Sequence, residues 1–311
     1  MSSNLAFVFS GQGSQKVGML AEMAAAFQSV QKTFAEASEV LGYNLWDLCQ
    51  NGEQEQLNAT ETTQPLLLTS SVALWRVWQE KNGKLPALLA GHSLGEWSAL
   101  VCANVLDFSD AVDLVRKRGA YMQTAVPKGE GSMAAVLNVE DEKILALCKE
   151  ASAVGVVEAV NFNSPGQVVI AGQVAAVDKA SELLKAAGAK RVLPLPVSAP
   201  FHTSLMKPAA ENMAKHIAAT IFRAPTIPVV HNVNAKTSSD PEAIKALMIQ
   251  QIDHPVLWVD CVKTMVSANI KTVVECGPGK VLCGLCTRIE KELTAFGIED
   301  VAGLEKALAE I

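Results

Sequence analysis

Apolar residues gather along the chain into short blocks, and the rhythm of each block predicts an element. Leu5-Ala6-Phe7-Val8-Phe9 is an unbroken apolar run stopped by Ser10-Gly11-Gln12-Gly13, the pattern of a buried strand ending at a glycine-rich loop. Helical spacing follows from about Met19 to Leu41, with a break. Thr63-Gln64-Pro65 opens another helix, with proline near its first turn, that runs to about Lys81 and stops at Asn82-Gly83. Leu85 to Ala90 is a second apolar run. It leads at once into Gly91-His92-Ser93-Leu94-Gly95 and then an apolar helical stretch through Ala103. Strand, helix, strand, tight turn, helix is the grammar of an α/β fold.

The middle of the chain has another rhythm. Strands are predicted over Met133–Val139, Val156–Phe162, Gln167–Ala171 and Arg191–Val197, with helices over Glu140–Ser152 and Val174–Ala187. This β-α-β-β-α-β order matches a ferredoxin-like unit. Val126 to Gly131 makes an entry hinge and the proline-rich Pro194 to Pro200 an exit. Residues 128–197 are therefore expected to form a small domain inserted into a larger one built from 1–127 and 198–311. The competing arrangement has these strands simply extending the main sheet. Beyond the insert, helices are expected over Ser204–Ala219, Pro241–Met248, from near Pro255 to Ala268, and over Val281–Lys291. Strands are expected at Ile227–Asn232 and Lys271–Glu275.

Composition narrows the function classes. The chain has 311 residues, 50% of them hydrophobic and 19% charged, enough for a large interior near the upper limit for a single core. A formal net charge of −6 argues against coating nucleic acid through its phosphates, and against a broad basic face for an anionic membrane. Met1-Ser2-Ser3-Asn4 shows no basic segment leading into a signal peptide, and no apolar run reaches the length of a membrane span. The seven cysteines are an odd, scattered set, expected to be reduced thiols in the cytoplasm.

The chemistry concentrates in a few places. Gly91-His92-Ser93-Leu94-Gly95 has the G-x-S-x-G pattern between a strand and a helix, the setting of a nucleophile elbow. Its glycines let the chain turn sharply and lift the Ser93 hydroxyl, while the Leu94 N–H lies where it can meet an oxyanion. The bland alternative is a helix-capping serine. Five histidines compete as base: 92, 202, 216, 231 and 254. His202 lies in a loop between a strand and a helix, a common place for a general base, and His216 is expected on the surface. Arg118 falls on the apolar stripe of the helix through Ala111, Leu114, Val115 and Met122. An arginine there must find an anion or acceptors, in either a structural pair or a clamp for a substrate carboxylate. The loop Gly11-Gln12-Gly13 lacks the third glycine of a dinucleotide fingerprint, and Gly277-Pro278-Gly279-Lys280 lacks the spacing of a phosphate-binding loop. It is instead suited to supplying a second oxyanion N–H. Cys283 and Cys286 have metal-ligand spacing but no second pair, and read as core thiols; no metal is expected.

The ordered motifs resemble those of the malonyl-CoA:acyl-carrier-protein transacylase family of bacterial fatty acid synthesis, over essentially the whole chain. They are Phe9 to Gln15, Thr63-Gln64-Pro65, Gly91 to Glu96, Arg118-Gly119 with Met122, Asn161 to Ile170, Phe201-His202-Thr203, Asn232-Val233, Gln251 and Glu275 to Gly279. Ser10 and Trp97 depart from the proline and tyrosine common in that family. The resemblance implies an α/β-hydrolase-like large domain with a parallel sheet, carrying an inserted ferredoxin-like small domain, with the site in the cleft between them. It implies Ser93 as nucleophile, His202 as base, a backbone carbonyl at Gln251 orienting the imidazole, and oxyanion donors at Gln12 and Leu94. Arg118 would pair with the malonyl carboxylate, and Phe201 would exclude larger substituted malonyl groups. The substrates would be malonyl-CoA and holo acyl carrier protein, with no bound cofactor and a monomeric enzyme.

An acidic carrier protein meeting a net-negative enzyme needs a local basic patch, for which Lys128, Lys190 and Arg191 are candidates. The main rival is a serine esterase or thioesterase, which would place a carboxylate such as Asp107, Asp110 or Asp113 behind His202. A non-catalytic carrier-binding protein, with Ser93 never acylated, and a relative loading another acyl group are the others.

Overall fold

Alternation between fully apolar runs and amphipathic stretches produces two sheets with different surroundings. The computed structural model describes residues 3–197 and 199–311. Met1, Ser2 and Ser198 lie outside them, and with them the expected domain limits at 1 and 198. The strands, in chain order, are β1 Leu5–Phe9, β2 Leu88–Gly91, β3 Gly131–Leu137, β4 Val157–Ser164, β5 Gln167–Gln173, β6 Arg191–Pro194, β7 Val229–Val230, β8 Thr272–Glu275 and β9 Thr294–Gly297. The order β7-β2-β1-β8-β9 makes a parallel sheet, and β4-β5-β3-β6 an antiparallel one.

β1 is central to the parallel sheet and buried on both faces, as a run of five apolar residues requires. Leu5, Phe7 and Phe9 face one core, where Phe7 meets the rings of Trp75 and Trp78 edge-on at 5.2 and 5.1 Å. Ala6 and Val8 face the other, with Trp258 and Val262.

The antiparallel sheet joins its four strands in the ferredoxin-like order. Ala134, Val136, Val168 and Ile170 point into a separate core with Ile144 and Leu184 from its two helices. The opposite face, with Met133, Val169 and Ala171, joins the main core. The middle strands therefore form a second sheet and do not extend the first. A backbone bridge between Asn161 and Val256 ties the two parts together beside the site.

Several boundaries differ from expectation. The helix expected at Thr63 begins at Thr60, which puts Pro65 inside it. The start is held by side chains, with the Thr63 hydroxyl donating to the Leu57 carbonyl and the Thr60 hydroxyl to Gln123. Proline costs this helix one N–H but does not stop it. β2 begins at Leu88 because Leu85 is exposed and only the later residues align with β1. β7 keeps two residues of the expected Ile227–Asn232, since the His231 N–H turns to the Lys236 carbonyl. The edge strand β9 and the helix Val301–Glu310 were not anticipated.

Candidate active site

The site is assembled where β2 ends. Ser93 caps the helix Leu94–Cys102 with φ 51° and ψ −106°, a conformation a non-glycine residue holds only when its surroundings force it. Both flanking glycines are required. A Cβ on Gly91 would lie 1.9 Å from the Gly95 carbonyl carbon, and one on Gly95 would lie 2.0 Å from the Phe9 oxygen. Asn232 pins the turn from outside: its Oδ1 accepts the Ser93 N–H at 2.8 Å and its Nδ2 donates to the Gly91 carbonyl at 2.7 Å.

Ser93 Oγ and His202 Nε2 are 2.8 Å apart, and His202 Nδ1 lies 2.8 Å from the Gln251 backbone oxygen. A carbonyl only accepts, so Nδ1 carries the proton and Nε2 is free to take the serine's. His202 itself sits at φ 65° and is buried. Burial and, second, the Arg118 charge push its pKa down to about 3, against the Gln251 hydrogen bond, so the imidazole is neutral at neutral pH.

Arg118 lies on the buried stripe of the helix Phe108–Thr124 and is 1% exposed. Its Nη1 donates to Gln64 Oε1 at 2.9 Å, and its Nη2 to Gln251 Oε1 at 2.9 Å and to Ser93 Oγ at 3.2 Å. Burial brings its pKa down to about 10, with Glu96 acting the other way, and it remains a cation. Among the described residues every group it hydrogen-bonds is neutral, so there it is a buried charge without a direct counter-ion. Ser93, His202, Arg118, Gln12, Leu94 and Phe201 line one cavity of about 110 Å³. Leu94 is the first residue of its helix, where the N–H has no intrahelical partner. A neighbouring cavity of about 300 Å³ shares Gln12, His92 and Asn161 with it and continues past Asn163 and Gln167 between the two sheets.

Among the described residues only His92 of the other histidines lines the same cavity, and none of them hydrogen-bonds Ser93 Oγ. His92 meets Asn163 Oδ1 at 2.8 Å, His231 is buried against Glu96, and His254 is exposed beside Asp253. His216, expected on the surface, is half-buried with the Tyr121 hydroxyl 3.0 Å from its Nε2, because Tyr121 projects from the facing helix. The carboxylates an esterase would need are also engaged: Asp107 pairs with Arg223, and Asp113 with Arg116 and Lys117. Asp110 is exposed on the same helix as Asp113. Cys283 and Cys286 lie one turn apart on the helix Val281–Ile289; burial pushes the Cys283 thiol up to about 12 and raises the Cys286 thiol as well.

Sequence reasoning gave no role to Gln64, Asn232 or Glu96, and weighed His231 only as a possible base, not as the partner of Glu96. Glu96 had a signal, since a carboxylate inside the otherwise apolar run Leu94 to Cys102 must be paired if it is buried. It is fully buried.

The chain is similar over nearly its whole length to known acyltransferases. Residues 6–304 match the family model of the acyl transferase domain. The chain is 55% identical over 308 residues to the malonyl CoA-acyl carrier protein transacylase of Salmonella typhimurium, covering 99% of this chain and 100% of the relative. It is 41% identical over 307 residues to the Bacillus subtilis protein of the same name, covering 98% and 96%. The crystal structure of an acyl carrier protein S-malonyltransferase from Vibrio cholerae superposes with a TM-score of 0.96 at 55% identity, covering 98% and 99%. A malonyl-transacylase in complex with a holo type II PKS acyl-carrier protein superposes at 0.98 with 52% identity, covering 99% and 100%.

Proposed function

The chain belongs to the acyl transferase domain family, among its malonyl CoA-acyl carrier protein transacylases, and from that premise we propose that it moves malonyl from malonyl-CoA to an acyl carrier protein through Ser93. The observation that carries the reading is a neutral His202 Nε2 at 2.8 Å from Ser93 Oγ, with a buried cation, Arg118, 3.2 Å from the same oxygen.

The reaction runs in two transfers. Ser93 Oγ attacks the malonyl thioester carbon while His202 Nε2 takes its proton. The backbone N–H groups of Gln12 and Leu94 hold the oxyanion, each worth roughly 3 kcal/mol in the transition state. The C–S bond breaks, the thiolate takes the proton from His202, and CoA leaves a malonyl-serine ester. The phosphopantetheine thiol of the carrier then gives its proton to His202 and attacks the ester. Serine leaves as the alcohol. Gln251 holds the imidazole in register through its carbonyl. These residues supply each proton and anion partner, so the reading calls on no bound cofactor.

Arg118 accounts for selectivity. In the ester the free carboxylate carbon is three bonds from Oγ, which suits a cation already touching Oγ. The carboxylate would also cancel the positive charge that depresses His202, making the base stronger once the right substrate is bound. Phe201, 8% exposed on the same cavity, limits bulk beside the malonyl carbon.

The site lies in the cleft between a large domain, residues 1–127 and 198–311, and a small one, residues 128–197. The 300 Å³ cavity leading from it would take the pantetheine arm. Lys128, Lys190 and Arg191, all exposed, would meet the acidic carrier. The enzyme would act as a cytoplasmic monomer supplying fatty acid synthesis.

Intact mass measurement after mixing with malonyl-CoA tests the reading. A malonyl adduct is expected on the wild type, absent in Ser93→Ala, and discharged by holo carrier protein. An unmodified wild type, or an equally labelled Ser93→Ala, would refute it.

A further inference from the structure

Gln251 makes more contacts in the site than its backbone role requires, and the two ends of its side chain cannot be exchanged. Its Oε1 accepts from Arg118 Nη2 at 2.9 Å. Its Nε2 donates to the Ser93 carbonyl at 2.9 Å and to Glu96 Oε2 at 2.7 Å. Turned by half a rotation, the amide would aim N–H at a guanidinium and its oxygen at a carbonyl and a carboxylate. All three contacts would become repulsive.

Glu96 is the strongest of the groups that set this direction, because its carboxylate oxygen is the nearest partner of the amide, accepting the Gln251 N–H at 2.7 Å. It is fully buried and held in turn by His231 Nδ1, 2.8 Å from its other oxygen Oε1, and by the Asn232 N–H, which donates at 3.2 Å to the same Oε2 that faces Gln251. The arrangement also keeps Glu96 one neutral amide away from Arg118. The guanidinium therefore meets Gln64, Gln251 and Ser93 oxygens, all neutral, and is not closed in an internal ion pair. Neutral acceptors are weaker partners for arginine than a carboxylate is.

We propose that Glu96 is a positioning residue for malonyl recognition: by fixing which end of the Gln251 amide faces Arg118, it holds the guanidinium ready for a substrate carboxylate. This rests on Arg118 being the partner of that carboxylate.

The test is the preference for malonyl-CoA over acetyl-CoA in acylating Ser93, since acetyl-CoA does not use Arg118. Glu96→Ala removes the acceptor. Glu96→Gln keeps one of the same size facing Gln251, with His231 able to accept from the new amide as its other tautomer. Glu96→Ala should lower the malonyl-over-acetyl ratio by roughly tenfold or more, in line with other residues that orient a binding group. Glu96→Gln should restore it to within about threefold of the wild type. A parallel loss for both thioesters in Glu96→Ala would show a merely structural role and overturn the proposal. So would a Glu96→Gln variant that loses the ratio as fully as Glu96→Ala.

If Glu96→Ala does not fold, the side-chain amide of Gln251 in the ¹⁵N-labelled wild type decides. Slow exchange and a proton shifted downfield by the carboxylate are expected. A freely rotating, fast-exchanging amide refutes the idea. A wild type without preference, or Arg118→Met with its preference intact, defeats the underlying reading of Arg118 instead, and the role of Glu96 falls with it.

Discussion

Replacing Arg118 by methionine removes the cation while keeping an unbranched chain of similar reach in the helix Phe108–Thr124. In the wild type this guanidinium is 1% exposed and bonded to neutral oxygens only. A malonyl carboxylate arriving there would form a buried, charge-assisted pair. Removing one partner of such a pair costs about 3–5 kcal/mol, because the other charge is left desolvated and unpaired. At about 1.4 kcal/mol per tenfold, the expected loss in kcat/KM for malonyl-CoA runs from roughly 10²-fold to a few thousandfold. Acetyl-CoA brings no charge, and its methyl group would face methionine in place of a cation, so its rate should fall far less than that of malonyl-CoA. The variant also leaves Gln64 Oε1 and Gln251 Oε1 without their donor, a defect both thioesters share. The ratio of the two rates therefore isolates the carboxylate. Rapid-quench acylation of Ser93, read by intact mass at subsaturating thioester, measures it. Equal losses for malonyl- and acetyl-CoA would refute the argument and reduce Arg118 to a structural residue.

Further outcomes follow from two titratable groups, His202 and Glu275. With His202 held near 3 in the free enzyme, it is a neutral base throughout the usual range, so kcat/KM for malonyl-CoA should show no inflection at the ordinary histidine value of 6.5. The acid limb of kcat should lie at higher pH than that of kcat/KM, because the bound carboxylate offsets Arg118; coincident limbs would contradict this. For stability the sign is fixed by a folded pKa below the unfolded one. The contribution is complete above 6.5 and is lost as pH falls towards 3, so urea unfolding of the wild type should lose more over that window than His202→Gln does. Glu275 runs the other way. Burial raises its carboxyl from 4.5 to about 7, one oxygen lacks a partner among the described residues, and the other accepts the Cys283 N–H at 2.7 Å. Its contribution is present below 4.5 and lost as pH rises through 7. Glu275→Gln keeps the acceptor and should be the more stable protein at pH 8, by at most about 3 kcal/mol, with the advantage gone at pH 4.5. Thermal melts at the two pH values check it, and a gain that does not depend on pH would point to some other cause.

Some of the site was legible because its causes are local. Gly91 and Gly95 force the turn that raises Ser93 within five residues, and the burial of Arg118 follows from helical spacing over Ala111 to Met122. The competition among five histidines was not settled by spacing, since it depends on which loop reaches Ser93. His202 was favoured by its loop and by the resemblance to the transacylase family, which also pointed to the Gln251 carbonyl. The ferredoxin-like order of the middle strands was readable from alternation. The short β7 and the edge strand β9 were not, because pairing with a neighbouring strand defines them more than their own pattern does.

What the amino-acid order determined by itself, then, is most of the longer elements and the two residues whose surroundings lie within one turn or one helix: the raised Ser93 and the buried Arg118. Only the tertiary structure decided what surrounds them. It brought Gln251 from 158 positions away to the Ser93 carbonyl, Asn232 from 139 positions away to the Ser93 N–H, and His231 from 135 positions away to Glu96. The physical reason is that periodicity encodes which face of an element is buried, whereas hydrogen bonds between buried polar groups depend on distances between elements. Those distances exist only after the sheet has closed around β1.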